Sequence, residues 1–479
     1  MLKATPRSAV LLGLTALGVF ASSTPSFAEV QNVRVGGDVT VRAFIRQNLD
    51  LHQEDDNTGI LDTENFLMQT TAVNVGADLT ENVSAFIRIA NERNWDLNPT
   101  SGTNTASGDI DISQAYITLK ELFYSPLTLR VGSQPIVWGR GFVLGSNLLP
   151  SVNGTGDDRN ASISANEFTD FTAFDAIRAT LDLSGIAEIG APLSLDYVYI
   201  KQDENAVGTP DDVNLQGINL SARFDSLNSE LETYYLNKRD KNTGAKDGSL
   251  STLGFRGSSQ PIEGSSLWGE LAYQFGERVI DPAGILVAGD AAQGWAANLG
   301  LDFTFSDVAM TPKVGGEWRF YKGHNSNGAV AGWTPIAPGY FTTALRDFQT
   351  SNGVAGFYAN DQTCFAAGAA GRPCTAGQSN QHEWSIFGSL KPIEDLTVAP
   401  RLSWFFLDVG ALPSAAAGGT QTSKRKGYAG MEWDTAVTYN YTDDVQLGLI
   451  YALFAPGNVY RHPNDNTAQE LVTSVSVKF

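Results

Sequence analysis

Apolar and polar side chains alternate one by one along residues 32–46, the first segment with a clear pattern. One set of alternate positions holds Val33, Val35, Val39, Val41, Ala43 and Ile45, and the other set holds Arg34, Asp38, Thr40, Arg42 and Arg46. A period of two residues places apolar side chains on one face of a β-strand and polar side chains on the other, which a helix does not do. The segment is therefore predicted to be an amphipathic strand.

The same alternation recurs along the chain and predicts about eighteen strands. The further segments are 65–79, 83–95, 110–120, 127–134, 171–183, 193–201, 214–224, 230–238, 249–257, 265–276, 294–305, 308–321, 382–391, 396–408, 427–441, 445–455 and 469–479. The weakest pattern is that of residues 249–257, and losing this strand with a neighbour would leave sixteen. An even number is expected of a single-chain bacterial β-barrel with periplasmic termini.

The predicted connections differ in length at the two ends of the sheet. Connections after even-numbered strands are mostly short, as at residues 80–82, 306–307 and 442–444. Connections after odd-numbered strands include the long segments 47–64, 139–170 and 322–381. Short periplasmic turns and long extracellular loops are the asymmetry of outer-membrane barrels. The sequence therefore predicts an all-β, transmembrane antiparallel β-barrel. We expect the large extracellular loop 322–381 to fold over or into the mouth, with a plain surface loop as the alternative.

The chain ends on a strand and an aromatic residue. Within residues 469–479, one face carries Leu471, Thr473, Val475, Val477 and Phe479. A soluble β-sandwich could also end on an alternating strand. A terminal strand that ends in Phe is nevertheless typical of bacterial outer-membrane barrels, whose last strand closes the sheet. The difference in loop length between the two ends of the sheet favours the barrel, because a β-sandwich has no reason to show that difference.

The first 28 residues have the three parts of a secretory signal peptide. Lys3 and Arg7 are basic, residues 9–21 form an apolar run too short to span a bilayer, and residues 26–28 read Ser-Phe-Ala. Cleavage after residue 28 leaves residues 29–479, which we interpret as a single outer-membrane barrel domain.

The composition agrees with an exported barrel. The formal net charge is −20, which opposes binding to nucleic-acid phosphates, so no nucleic-acid partner is expected. We expect a location in the outer membrane of a Gram-negative-type bacterium, in contact with the lipid bilayer and lipopolysaccharide. Cys364 and Cys374 lie in one polar segment, and after export we expect them to form a disulfide, with two free thiols as the alternative.

Residues that could support catalysis are scattered. The four histidines, all in or beside predicted extracellular loops and without metal-ligand spacing, are His52, His324, His382 and His462. No Ser/His/acid grouping can be read from the sequence. We therefore predict no enzyme activity, no metal site and no cofactor.

The predicted inner face concentrates arginine, although the whole chain is acidic. The residues expected to line the pore and the substrate path are Arg34, Asp38, Arg42, Arg46, Arg88, Arg130, Arg178, Arg223, Arg319, Arg401, Glu432 and Asp434. Lumen arginines attract anions and can bind a carboxylate through two parallel hydrogen bonds. The alternative is structural, since arginines and acids could pair across the lumen simply to fill it.

Several short motifs resemble those of the alginate-export porin family and its wider relatives. Residues 430–434 read Gly-Met-Glu-Trp-Asp, residues 454–457 read Phe-Ala-Pro-Gly, and the chain ends in Val-Lys-Phe. Upstream, residues 114–120 read Gln-Ala-Tyr-Ile-Thr-Leu-Lys, and residues 129–134 read Leu-Arg-Val-Gly-Ser-Gln. Ser133 stands where the family has an arginine, which weakens a claim about the substrate.

The resemblance implies an eighteen-stranded, monomeric barrel whose arginine-rich constriction passes an anionic polysaccharide. Two functions follow as hypotheses. The first is a porin for anionic saccharides or small organic anions, working with or without a periplasmic export partner. The second is a general diffusion porin or structural surface barrel with a lumen filled by salt bridges.

Overall fold

The fold is that of a computed structural model, which describes residues 32–49, 51, 63–95, 110–147, 165–185, 191–203, 212–225, 228–241, 248–277, 291–323, 332–347, 378–408, 427–460 and 465–479. The predicted signal peptide at residues 1–28 lies outside the described residues, as do Cys364 and Cys374. The signal peptide and the disulfide therefore stay predictions.

Eighteen antiparallel strands form one closed sheet. They are β1 (Asn32–Gln47), β2 (Thr63–Thr80), β3 (Val83–Asn94), β4 (Asp111–Leu119), β5 (Leu127–Gln134), β6 (Phe174–Asp182), β7 (Leu193–Asp203), β8 (Val213–Phe224), β9 (Ser229–Asp240), β10 (Gly248–Ser259), β11 (Ser265–Glu277), β12 (Ala291–Thr304), β13 (Lys313–Tyr321), β14 (Gln381–Ile393), β15 (Leu396–Leu407), β16 (Tyr428–Asn440), β17 (Val445–Pro456) and β18 (Ala468–Lys478). Each strand pairs with its sequence neighbours, and β1 also pairs with β18. The barrel prediction is confirmed with eighteen strands rather than sixteen, and the weakly patterned segment 249–257 is β10.

Alternating exposure along the strands separates an outer surface from a lumen. In β3, Ile87 and Ile89 are exposed on the outer surface, whereas Ala90 and Glu92 are buried inside. Closure of the sheet gives every strand a hydrogen-bonding neighbour on both sides, as a hydrocarbon environment requires. Among the described residues, no helix is both long enough and apolar enough to cross a membrane.

The closure between β1 and β18 depends on a glycine and on the terminal phenylalanine. Gly37 and Phe479 exchange two backbone hydrogen bonds, with N···O distances of 2.9 and 3.0 Å. A Cβ atom at Gly37 would lie 2.5 Å from the carbonyl oxygen of Ala72 and 2.8 Å from the Phe479 ring. Glycine therefore allows Phe479 to lie against the seam on the outward-facing side of the sheet.

The two ends of the barrel differ as the sequence predicted. Short turns such as 81–82 and 394–395 lie at one end, and long connections such as 322–380 lie at the other. This asymmetry identifies the short-turn end, which also holds the start of β1 and the end of β18, as the periplasmic end.

Two strands begin three or more residues later than predicted. The β12–β13 turn spans residues 305–312 rather than 306–307, because Met310 and Thr311 adopt left-handed backbone conformations (φ 67° and 38°) that lead the chain out of the sheet. β6 begins at Phe174 rather than at residue 171, because the preceding residues turn into the lumen.

Three stretches of the long connections fold into the barrel and pack on its inner wall. We call them segment A (residues 135–147), segment B (165–173) and segment C (332–347). Segments A and B belong to the β5–β6 connection, and segment C belongs to the β13–β14 connection. Segments A and C share an apolar cluster with the wall, which includes Trp138, Phe142, Tyr321 and Trp333. The lumen of the described barrel is therefore partly filled by its own connections.

Candidate functional site

Segment A is fixed to the inner wall by a buried tryptophan. The indole Nε1 of Trp138 donates a hydrogen bond to Asp196 on β7 at 2.9 Å. Gly139 follows with a φ of 58°, and a Cβ atom there would lie 2.4 Å from Cδ of Arg256 on β10. Glycine permits both the left-handed backbone and this close approach. The turn presents Arg140 to the lumen.

Segments A and C meet inside the barrel through their backbones. Leu144 and Ala337 form a parallel bridge. The N–H of Gly145 donates to the carbonyl of Ala337, and that of Gly339 to the carbonyl of Gly141, both at 2.8 Å. A Cβ atom on Gly145 would lie 2.8 Å from Cα of Gly141, so small residues are needed at this crossing. The two segments therefore form a joined layer within the lumen.

Carboxylates of β16 hold the far end of segment C. Glu432 accepts hydrogen bonds from the backbone N–H groups of Leu345 and Arg346, both at 2.7 Å. Asp434 accepts one from the N–H of Ala344 at 3.3 Å. Both acids were predicted to face the lumen, and the structure places both against segment C, where they position its backbone.

A buried ion-pair group joins segment B to β1 and β18. The guanidinium of Arg46 contacts Glu167 of segment B, and it contacts Glu470 of β18 at 2.5 Å. Phe168, next to Glu167, packs against Phe44 with ring centroids 5.5 Å apart. Two carboxylates share one guanidinium here. Burial raises the pKa of Glu167 to about 7, against the opposing attraction of Arg46.

Arg88 makes the second connection between segment B and the wall. Its guanidinium contacts Asp170 of segment B and Asp38 of β1, both at 2.8 Å. Asn74 on β2 accepts a further hydrogen bond at 2.8 Å. Several charge-assisted hydrogen bonds together fix the guanidinium in place. Arg88 and Asp38 were both predicted to line the pore, and the structure brings them together.

Other predicted arginines pair with acids on neighbouring elements. The pairs are Arg178 with Asp196 (2.9 Å), Arg401 with Glu317 (3.2 Å), and Arg319 with Asp347 and Glu383. Arg319 is fully buried together with both of its acids. A buried charge is tolerated only when it is paired in this way. These arginines therefore act as structural contacts of the wall and of segment C.

Arg34 and Arg223 lie at the periplasmic ends of β1 and β8. Arg34 contacts Asp78 at 3.2 Å and Arg223 contacts Glu230 at 3.5 Å, but the two arginine side chains are 67% and 68% exposed. Exposed ion pairs of this kind contribute about 0–1 kcal/mol. The structure therefore places these two predicted residues at the periplasmic rim, away from the inward segments.

Three arginines in the lumen differ from the rest, because none has a carboxylate within 4 Å in the part of the chain that the structure describes. Each stacks on an aromatic ring instead: Arg42 on Phe168 (4.8 Å), Arg130 on Tyr116 (4.6 Å) and Arg140 on Trp268 (4.2 Å). A guanidinium that stacks through its face keeps its N–H edge for hydrogen bonds to an anion. These three residues are the candidate anion-binding groups of the lumen.

Arg140 was missed as a pore residue because it lies in a connection, where alternation gives no information. Its guanidinium lies between Trp268 and Tyr340, and it donates a hydrogen bond to the Tyr340 hydroxyl at 3.0 Å. The available signal was the Trp-Gly-Arg-Gly sequence at 138–141, since two glycines around one arginine indicate a tight turn.

Two further arginines were also missed. Arg256 on β10 contacts Glu230 at 3.2 Å and also contacts Glu232, and strand alternation could have identified it. Arg346 lies in segment C, fully buried, with its guanidinium 5.6 Å from the Phe405 ring, and no sequence pattern marks it.

The chemistry available to this arrangement is the binding of anions by guanidinium groups. Within the described ranges, no group of three or more His, Cys, Asp or Glu side chains could hold a metal ion. That the protein binds no cofactor remains a prediction from the sequence.

Solved outer-membrane barrels share the fold. OccAB2 of Acinetobacter baumannii is 11% identical, with 94% of this chain and 99% of that chain covered and a TM-score of 0.51. OccK9 (OpdG) of Pseudomonas aeruginosa is 10% identical, with coverage of 94% and 99% and a TM-score of 0.52. OccK2 (OpdF) of the same organism, solved in complex with glucuronate, is 12% identical, with coverage of 94% and 98% and a TM-score of 0.51. At these identities the likeness shows the fold alone.

Sequence comparison defines the family. A search of curated proteins finds no match. The profile of the alginate export family matches residues 32–474, which is nearly the whole described barrel. The resemblance seen in the short motifs is thereby confirmed. The chain belongs to the alginate export family and is a β-barrel channel of the Gram-negative outer membrane.

Proposed function

We propose that this channel passes anionic saccharides or other organic anions past Arg42, Arg130 and Arg140. The observation that carries the proposal is the stacking of these three guanidinium groups on aromatic rings, with no carboxylate within 4 Å among the described residues. Among the described residues, none of the three guanidinium groups therefore forms a direct ion pair with a protein carboxylate. An anion that enters the lumen gains attraction from them without displacing a protein carboxylate.

The aromatic partners give these arginines a fixed orientation. Trp268, beneath Arg140, is buried and donates its indole N–H to Asn298 at 2.9 Å, so the platform itself is held in place. A held guanidinium loses less side-chain entropy when it binds a carboxylate than a freely rotating one. Transport also requires release, and single arginines at separate positions bind more weakly than a closed cage would.

Arg140 is the best placed of the three. It is exposed, whereas Arg42 and Arg130 are half-buried, and it lies where segments A and C meet. An anion that passes the joined layer therefore meets this guanidinium directly. We infer that Arg140 contributes more to anion preference than Arg42 or Arg130.

A second function is favoured by a different observation. Arg46, Arg88 and Arg319 are each paired with two acids, and the inward segments occupy part of the lumen. This pattern suits a general diffusion pore or a structural surface barrel in which charges fill space. The two functions differ in the role that they give to Arg42, Arg130 and Arg140, which form no direct ion pair among the described residues.

Ion selectivity in planar bilayers tests the proposal. At about 6 Å in a water-like medium, one unit charge attracts a monovalent anion by about 0.7 kcal/mol. Arg130→Ala with Arg140→Ala should therefore lower the anion-to-cation permeability ratio by about tenfold for each charge removed, because the anion loses this attraction and the cation loses an equal repulsion. Arg34→Ala with Arg223→Ala is the matched control, because it removes the same charge from the periplasmic rim.

Glucuronate is the first saccharide probe, because one neighbour of the same fold was solved with it. Reversible current block by glucuronate or by uronate polymers, lost in the lumen double variant and kept in the rim double variant, supports the proposal. A cation-selective wild-type pore that ignores uronates would refute it and favour the second function. We also propose that the protein works as a monomer, which native mass measurement in detergent tests.

A further inference from the structure

Two aromatic rings stack on the inner wall near the periplasmic end of the barrel. Phe86 on β3 and Tyr116 on β4 are direct cross-strand partners, with ring centroids 5.3 Å apart and ring planes inclined by 29°. The residues that follow them, Ile87 and Ile117, are exposed on the outer surface, so strand alternation places both rings on the lumen side. Both rings are half-buried, and neither belongs to the buried apolar clusters of the described residues.

Glycines lie beside both rings at the same level of the wall. Gly76 on β2 is the cross-strand partner of Phe86, and Gly132 on β5 is that of Tyr116. A glycine has no side chain that could cover a neighbouring ring. The sequence therefore leaves the Phe86–Tyr116 pair accessible from the lumen at these two positions.

Polar side chains border the pair along the same inward face. Arg88 and Gln114 form the next cross-strand pair on the extracellular side, and Ser84 and Thr118 form the next pair on the periplasmic side. Ligand sites combine aromatic surface with a small number of placed polar groups. Two rings between two polar pairs have this composition, which packing of the wall alone does not require.

Two arginines stand side by side next to the aromatic pair. The guanidinium carbon of Arg130 lies 4.6 Å from the centroid of the Tyr116 ring, and its Nε donates a hydrogen bond to the Thr118 hydroxyl at 3.2 Å. Its cross-strand partner on β6 is Arg178, and like charges directly opposite on neighbouring strands destabilise a sheet. Arg178 is paired with Asp196 at 2.9 Å, whereas the described residues place no carboxylate within 4 Å of Arg130. A carboxylate bound at Arg130 would offset this repulsion.

We propose that Phe86, Tyr116 and Arg130 form a subsite for a pyranose ring that carries a carboxylate. The sugar ring lies over the two aromatic rings, since the negative face of an aromatic ring attracts C–H groups. The carboxylate accepts hydrogen bonds from the guanidinium of Arg130, and the sugar hydroxyls face Ser84 and Gln114. The subsite rests on the proposed function, to which it adds selection for the shape of the ring.

Two other classes of organic anion fit this surface less well. An acyclic carboxylate uses Arg130 but leaves both aromatic faces without a partner. An aromatic acid stacks on the rings but has no hydroxyl groups for the polar pairs that border them. A sugar acid matches the charge, the aromatic faces and the polar border together.

The subsite is separate from the position of Arg140. Arg88, the next inward residue above Phe86, contacts Asp170 of segment B at 2.8 Å, so the aromatic pair lies between segment B and the periplasmic opening. Arg140 lies where segments A and C meet. The lumen therefore offers two successive anion positions, and conduction benefits from several weak sites rather than one strong site.

Block of single-channel current by matched solutes tests the subsite on the full-length wild-type protein in planar bilayers. Glucuronate and gluconate carry the same charge and nearly the same atoms, but only glucuronate closes into a pyranose ring. Glucuronate should therefore block at an about tenfold lower concentration than gluconate. Benzoate, which has a ring and a carboxylate but no hydroxyl groups, should block more weakly than glucuronate.

A pair of double variants locates the effect. Phe86→Leu with Tyr116→Leu should weaken block by glucuronate by about tenfold. The anion-to-cation permeability ratio should stay within about twofold of wild type, because every charge is kept. Phe86→Tyr with Tyr116→Phe is the matched control, because it keeps both rings and should be blocked like wild type.

The outcomes separate this subsite from the proposed function. Equal block by glucuronate and gluconate in an anion-selective pore would overturn the subsite alone, and so would unchanged block in the leucine double variant. Stronger block by benzoate than by glucuronate would overturn it in favour of aromatic acids. Block by glucuronate in a pore without anion preference would instead refute the proposed function and keep the subsite. If the leucine variant does not fold, the comparison of the three solutes on wild type decides.

Discussion

Replacing Glu432 with alanine should loosen segment C from the barrel wall. The carboxylate is the acceptor for two backbone N–H groups, those of Leu345 and Arg346, at 2.7 Å each. Leu345 and Arg346 are fully buried, so water does not readily replace the lost acceptor. Alanine at this position leaves both donors without a partner.

The size of the effect follows from these two donors. A buried N–H group that loses its acceptor costs about 1–3 kcal/mol, so the pair costs about 2–6 kcal/mol. Burial of Leu345 against Phe405 and Phe454 still stabilises the docked segment. The free energy that holds segment C should therefore fall without being abolished. At the lower limit of about 2 kcal/mol, opening becomes about 30 times more frequent.

Hydrogen exchange measured away from the substitution is the most direct assay. The N–H groups of Gly339 and Gly145 bond within the layer formed by segments A and C, at 2.8 Å each, and neither contacts Glu432. If segment C opens as a unit, their exchange should accelerate by about 30-fold or more in Glu432→Ala. Single-channel recordings should show more current fluctuation, because the layer lies in the lumen.

Glu432→Gln is the control. Its amide keeps one acceptor oxygen and should show roughly half of the alanine effect in free energy. Exchange of Gly339 and Gly145 that stays within about threefold of wild type in Glu432→Ala would refute the reasoning, because the ends of segment C would then open independently.

Three further predictions concern other contacts of the lumen. Gly300→Ala places a Cβ atom 2.1 Å from the Trp268 ring, so it should displace the aromatic platform of Arg140. We expect it to lower the free energy of unfolding by about 1–3 kcal/mol and to lower anion selectivity in bilayers. Gly316→Ala, whose Cβ atom would lie 3.7 Å from its nearest neighbour, should match wild type in both measurements. Burial raises the pKa of Glu167 to about 7, so the folded protein binds this proton more tightly than the unfolded chain. Segment B should therefore become more sensitive to proteolysis as the pH rises from about 5 to 8. Glu167→Gln should remove that pH dependence, and greater sensitivity at low pH would contradict the prediction. Arg88→Ala leaves Asp38 and Asp170 without their guanidinium and should destabilise the barrel by about 3 kcal/mol in thermal unfolding. Arg34→Ala, which removes an exposed ion pair, should cost less than about 1 kcal/mol. Equal effects would show that burial does not determine how much these ion pairs contribute to stability.

The strands were predictable because their signal is local. In β1, alternate positions such as Val35 and Arg42 carry the information about the two faces, whatever the rest of the chain does. The same holds for β18 and its terminal Phe479. The boundaries that failed, at residues 305–312 and before Phe174, lie where left-handed backbone or inward folding ends a strand without a change in alternation.

Whether a given arginine pairs with acids or stacks on an aromatic ring was not predictable from the sequence. Alternation places Arg42 and Arg46 on the same face of β1, yet Arg46 is paired with two acids and Arg42 stacks on Phe168. The partners of Arg46 are 121 and 424 positions away in the chain. Arg140 reaches the lumen only because a glycine turn and the platform on β11 bring it there.

The sequence by itself determined the barrel, the side of each strand that faces the lumen and the accumulation of arginine on that side, whereas the structure decided between eighteen and sixteen strands. These features depend on period-two alternation and on loop lengths, which are properties of neighbouring residues. Only the tertiary structure decided which arginines stack on aromatic rings without a direct ion pair among the described residues and which ones anchor segments A, B and C. That division depends on contacts between distant parts of the chain, and a side chain's charge is cancelled by what lies within a few ångströms in space, regardless of separation in sequence.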